Sequence, residues 1–154
     1  MPIMGLVELN GPNGKSLRSP TQTVDNISEQ VLPYLEEATR IIEREQGVGL
    51  AATQIGVPYA WYIDKNLKVY INPEIVDDPD GEEERVFEGC LSIPERRYAT
   101  KRMSKVGVRF MNVDGETELL QFSKLSAWVA QHECDHLKGI LVCDHGERVY
   151  KGDE

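Results

Sequence analysis

His132 and His136 stand four residues apart in the segment QHECDHLKG (131–139), and no other feature limits the folding of this chain as much. The segment reads as the end of a helix running from about Lys124 to Lys138, with Ser123 a candidate N-cap. Gly139 falls just past the end, where a left-handed residue is wanted. On a helix an i, i+4 pair leaves from one face, one turn apart, at a separation that suits two ligands of a single metal ion. Leu125, Trp128 and Val129 share that face, so the imidazoles point to the apolar side, and histidines buried there need partners. Glu133 lies about 100° round the helix from His132, beside such an ion without being aimed at it, which is the place for a general base. The alternative for Glu133 is a solvated surface carboxylate. Cys134, about 200° from His132, cannot share the ion and reads as a small packed residue.

A third ligand has to come from elsewhere in the chain. Cys143 and His145 follow Gly139 closely and would have to fold back over a short tail. Cys90, in EGCLS (88–92) beside Gly89, whose missing side chain lets backbone approach closely, is the stronger candidate. Three cysteines in 154 residues are odd in number and too few for a disulfide framework, which fits a reducing compartment.

The rest of the chain supplies a frame for that helix. Residues 10–26, rich in Asn, Gly, Pro, Ser and Thr, read as part of an extended arm (1–26) of loops and turns rather than packed structure. Apolar Ile27, Val31, Leu35, Ala38 and Ile42 recur near the helical period, and Pro33 marks a first turn, so one further helix is expected up to Glu45. Trp61–Ile63 and Val69–Ile71 read as a hairpin, and a run at 86–94 carries Cys90. Val106, Val108 and Phe110 alternate before the turn pair Asp114-Gly115, with a return strand over Leu119–Phe122. The expectation is a single α+β domain over 1–154, with antiparallel strands and hairpins packed around the central HExxH helix.

Charge narrows the partners. Lys and Arg total 17 against 26 Asp and Glu, a formal net charge of −9, which repels phosphate backbones and anionic lipid and argues against direct nucleic-acid or membrane binding. No run approaches the roughly 18 apolar residues of a membrane span, and no leader is visible at the N-terminus. A cytoplasmic protein is expected.

Three segments, GVGLAATQ (47–54), EGCLS (88–92) and QHECDH (131–136), resemble the signature motifs of peptide deformylases, in order, within a similarity running from about Leu17 to about Asp144. The resemblance implies an enzyme that removes the formyl group from formyl-methionyl nascent peptides and releases formate. It implies Cys90, His132 and His136 as ligands of one divalent ion, Fe(II) expected, with Zn(II), Ni(II) or Co(II) also suited to such a set. Glu133 would be the general acid/base, and Gln54 with the Leu91 N–H would be the oxyanion donors. The substrate's methionine would enter an apolar pocket of Val48, Val86, Leu125, Trp128 and Val129. The glycines of GVG would let its backbone approach as an added strand, with main-chain hydrogen bonds at Gly49 and room at Gly89. Glu88 and Asp135 are candidates to orient the imidazoles, or simply to pair with arginines. Arg97 matches a recurrent arginine of the bacterial-type enzymes.

Two departures stand out. Relatives often carry a smaller aliphatic residue at 128, so Trp128 would reshape the pocket. Many also continue into a long C-terminal helix that helps to dock on the ribosome, for which KGDE leaves no room. Such a trimmed form suggests a non-standard source, a viral one among them, with the host cytoplasm as its location, and any ribosome contact would be brief or local. Two rival readings of the histidine pair remain: a zinc protease completed by His145, and a closed structural Cys2His2 site completed by Cys143.

Overall fold

The computed structural model describes residues 5–150; residues 1–4 of the expected arm and the last four residues, 151–154, lie outside it. A 3-10 turn at Gly14–Arg18 precedes helix α1 (Ile27–Gln30), a second 3-10 turn (Leu32–Tyr34) and helix α2 (Leu35–Glu45). Strand β1 (Gly49–Ala51) leads through a 3-10 turn at Ala52–Ile55 to β2 (Trp61–Asp64) and β3 (Val69–Asp77). Then follow β4 (Glu83–Cys90), β5 (Ile93–Met103), β6 (Lys105–Met111), β7 (Thr117–Ser123), helix α3 (Leu125–Leu137), the short α4 (Val142–His145) and β8 (Glu147–Val149).

The strands form two antiparallel sheets, ordered β1-β2-β3-β6-β7 and β4-β5-β8, and α3 touches strands of both. The fold is α+β around the histidine-bearing helix, as expected. Both predicted hairpins form, Trp61 opposite Ile71 and Val108 opposite Leu120. Strand alternation explains the packing: Val106, Val108 and Phe110 turn inward onto Tyr62, Tyr70, Ala127, Ala130 and Cys134. Cys134 is thus a packed residue, as its place on the helix implied.

Several local expectations change. The helix expected from Pro33 to Glu45 begins at Leu35, because Val31 leaves helical geometry and Pro33 sits inside the 3-10 turn ahead of it. The arm consists of turns, yet it packs: Val7, Leu17 and Val24 are buried, and Leu17 joins Ile93, Leu141 and Val142 in one apolar cluster. Turn-rich composition describes the backbone conformation and says nothing of what isolated apolar side chains meet. Ser123 is not the N-cap of α3. It pairs with Lys105 as the last residue of β7, and Lys124 takes the capping position at φ 54°, ψ −124° without a side-chain cap. Gly139 is left-handed at φ +77°, as predicted. Beyond it, the short tail forms α4 and β8, and β8 adds to the second sheet through Arg97, Tyr98 and Ala99. Among the described residues no helix is long and apolar enough to cross a membrane.

Candidate metal centre

Alternate residues of β4 face residues one turn apart on α3. Glu84 meets Trp128, Glu88 meets His132, and Cys90 meets His136, all from one face of the strand onto one face of the helix. The last two pairs build the site. Cys90 Sγ lies 3.3 Å from His136 Nε2, and ligand atoms of Cys90, His132 and His136 all fall within 4.8 Å of one another. Among the described residues this is the one such group of His, Cys, Asp or Glu. Cys143 and His145 stay away from it: Cys143 faces Arg18 and Asp144, and His145 Nε2 sits 3.7 Å from Asp135. The arrangements needing a fourth protein ligand at Cys143, or a third at His145, are therefore not formed.

The donor set fits a divalent transition ion. One thiolate and two imidazoles are the ligand types such ions take, and three protein ligands leave a coordination position for chemistry. Two buried atoms at the group, Glu133 Oε1 and His136 Nδ1, have no hydrogen-bond partner among the described residues, a costly arrangement in an apolar setting.

Each imidazole is prepared differently. His132 Nδ1 lies 2.6 Å from Glu88 Oε1, so the N–H on that side donates to the carboxylate and Nε2 is left to face the cluster. Glu88 also accepts from Arg102, at 3.0 Å from Nε and 2.8 Å from Nη2, and from the Thr100 hydroxyl. Burial alone would raise its pKa, but hydrogen bonds from His132 and Arg102 hold it well below the usual carboxylate range. Burial works against a charged His132, yet Cys90 and Glu88 raise its pKa well above the ordinary value. Burial, reinforced by the charge of His132, keeps His136 neutral. Asp135 takes the other possibility raised for it, pairing with Arg102 at 2.7 Å from Nη1 and with neither imidazole of the cluster.

Glu133 is 3 % exposed, so it is no solvated surface residue. Burial pushes its pKa up to about 7, against the opposing pull of His132. Gln54 is held from both ends. Ala51 N–H donates to its Oε1 at 2.9 Å, which fixes the amide orientation and turns Nε2 toward Ser92 Oγ (3.1 Å) and Cys90 Sγ (3.8 Å).

Gln54, Glu88, Cys90, His132 and Glu133 line a cleft of about 730 Å³. Its walls include Val48, Gly49, Val86, Gly89, Leu91, Leu125, Trp128 and Val129, so all of the anticipated substrate-contacting positions share one cavity. The cleft runs between β1 and β4, each the edge of its sheet. Gly49 is a steric necessity, since a Cβ there would come 2.8 Å from Val129 Cγ1. Gly89 is not: a Cβ would meet only the Arg96 carbonyl oxygen at 3.5 Å. Arg97 lines the cleft and donates to the Phe87 carbonyl at 3.3 Å.

Sequence reading missed Arg102, Ser92 and Glu84. Arg102 is 5 % exposed and stitches Glu88 to Asp135; the hint was an arginine in a strand run facing alternating acids at 84 and 88, an opposite-charge pairing across strands.

Comparison with known proteins agrees with this geometry. A family model described as polypeptide deformylase matches residues 6–151. A peptide deformylase of Pseudothermotoga lettingae is 38% identical over 130 residues, covering 83% of this chain and 75% of that protein. The crystal structure of peptide deformylase from Thermotoga maritima superposes with a TM-score of 0.82 at 32% identity, over 91% of this chain and 95% of that one. A deformylase from the Vibrio parahaemolyticus bacteriophage VP16T, solved with actinonin, gives 0.79 at 29% identity, over 89% and 98%.

Proposed function

The chain belongs to the polypeptide deformylase family, and from that premise we propose that it hydrolyses the formyl amide at the N-terminus of formyl-methionyl peptides by a metal-assisted route in which Glu133 moves the proton. One observation carries the reading: Cys90, His132 and His136 converge, and Cys90, His132 and the buried carboxylate of Glu133 line one cleft. Cys90, His132 and His136 would hold a divalent ion, Fe(II) by expectation and Zn(II), Ni(II) or Co(II) by the same donor chemistry, and the ion supplies the Lewis acidity that makes water a nucleophile near neutral pH.

The chain's own groups do the rest. The substrate backbone lies extended between the edges of β1 and β4, where Gly49 offers main-chain groups and bulk is absent. Its methionine side chain enters the pocket of Val48, Val86, Leu125, Trp128 and Val129. Glu133, with a pKa near 7, accepts a proton as water adds to the formyl carbon and delivers it to the amine nitrogen as the C–N bond breaks. Gln54 Nε2 and the Leu91 N–H receive the developing oxyanion. Formate and a peptide with a free amine leave. Residues 1–154 act as one catalytic domain, and a ribosome contact, with a net charge of −9, is local rather than a general attraction to RNA.

The test is formate release from a formyl-Met tripeptide by metal-free protein reloaded with Fe(II), Ni(II) or Zn(II). Glu133→Gln should keep its metal and lose turnover. Unchanged turnover in that variant removes Glu133 from the mechanism, and no formate from any loaded form removes the activity.

A further inference from the structure

Trp128 is the bulkiest wall of the side-chain pocket, and it is not left free to move. Its indole N–H donates to Glu84 Oε1 at 2.8 Å. The other oxygen of Glu84 is paired with Lys124 Nζ at 3.1 Å, at the start of α3. Glu84 stands two residues before Val86 on β4, on the same face of that strand, and Val86 and Trp128 both line the pocket. The carboxylate therefore ties the entry of α3 and the indole to a strand that contributes to the same pocket. The indole is half-buried and its one polar atom is satisfied, which favours one ring orientation over others.

We propose that Glu84 is a positioning residue for substrate selection: by holding Trp128 in one orientation it sets the width of the pocket, so that a slender unbranched side chain enters and an aromatic or branched one is turned away. This rests on the deformylase reading, deepening it from an activity to a choice among first residues. Glu84 lies outside the cleft itself and acts through Trp128. Lys124, at positive φ, pairs with the far oxygen from the exposed side.

The experiment compares formate release from formyl-Met and formyl-Phe tripeptides for the wild-type, E84A, E84Q, W128F and E84A/W128F enzymes. Pocket fit of this kind is worth about tenfold or more in kcat/KM. The Met-over-Phe preference in kcat/KM should fall about tenfold in E84A, through a lower KM for the Phe substrate with kcat on Met little changed. E84Q should keep more of the ratio than E84A, because its amide oxygen still accepts from the indole although the pairing with Lys124 is lost. W128F should lower the ratio at least as far as E84A, and E84A should lower it no further in the W128F background. With 5-fluorotryptophan the two Trp residues of the chain give two fluorine resonances, and one should shift more in E84A than in E84Q. A ratio unchanged in E84A and W128F, a ratio lost equally in E84Q, or an unmoved fluorine spectrum in E84A each overturns the proposal. Absence of formate from wild-type enzyme on both peptides would instead overturn the deformylase reading, leaving the fluorine experiment to report on the Glu84–Trp128 bond.

Discussion

Glu133 packs directly on the backbone of Gly49: a Cβ added at residue 49 would lie 2.5 Å from Oε2 of the carboxylate. Gly49→Ala therefore has to push Glu133 aside or shift β1. Displacing a reacting group by about 1 Å costs on the order of a hundredfold in rate, while overpacking costs about 1–3 kcal/mol of stability. The expected result is kcat down about a hundredfold in a protein that still melts cooperatively and still holds its metal. Turnover within a factor of about two of wild type would show that β1 yields without disturbing the carboxylate.

Glu88→Gln should loosen the metal. The substitution removes the charge that His132 and Arg102 share, while Asp135 still pairs with Arg102. Loss of such an outer partner of a liganding histidine lowers metal affinity by about 10–100-fold. Competition with a chromophoric chelator measures it directly, and equal retention by variant and wild type would sink the orienting role given to Glu88.

The ion pair of Arg18 with Asp144 joins the arm to α4. Burial would raise the pKa of Asp144, but the hydrogen bond from Arg18 holds it below the ordinary carboxylate value. A folded-state pKa below the unfolded one gives stability that is complete above the unfolded value and fades as pH falls through the folded one. Both side chains are partly exposed, so the pair is worth only about 0.2–1 kcal/mol. Thermal melts of wild type and Arg18→Ala should therefore differ by about 1–3 °C at pH 6 and converge as the pH falls below the ordinary carboxylate range. A gap that persists to low pH would assign the role of Arg18 to packing.

Leu17 is fully buried within the arm. Truncation to Ala should cost about 2–5 kcal/mol, as for other buried leucines, read as a shift of the urea midpoint with little change in slope. A cost below about 1 kcal/mol would mean that the arm rests on the domain without stabilising it.

The parts of this molecule with a clean period could be read from the chain alone. Val106, Val108 and Phe110 alternate and form β6; His132 and His136 lie one turn apart and converge with Cys90. Leu17 belongs to no period, being a single apolar residue among Gly, Ser and Pro, so its burial depends on contacts with Leu141 and Val142 far along the chain. Strands β4 and β5 carry charges on both faces, which blurs any alternation, and only their pairing reveals that Glu84 and Glu88 face α3. Ser123 had the chemistry of a cap, but the hydrogen-bonded ladder with Lys105 claims it for the strand, and local preference yields to the sheet.

The far end of α3 is clamped by some of the earliest residues of the chain. Thr21 donates to the Leu137 carbonyl through both its backbone N–H and its hydroxyl, and a side chain at Gly139 would collide with the carbonyl of Arg18. During synthesis the arm leaves the exit tunnel long before its partners exist, and closing contacts across more than a hundred residues is slow. Cys90 likewise precedes both histidines, so the centre, like the clamp, cannot close before α3 has been made.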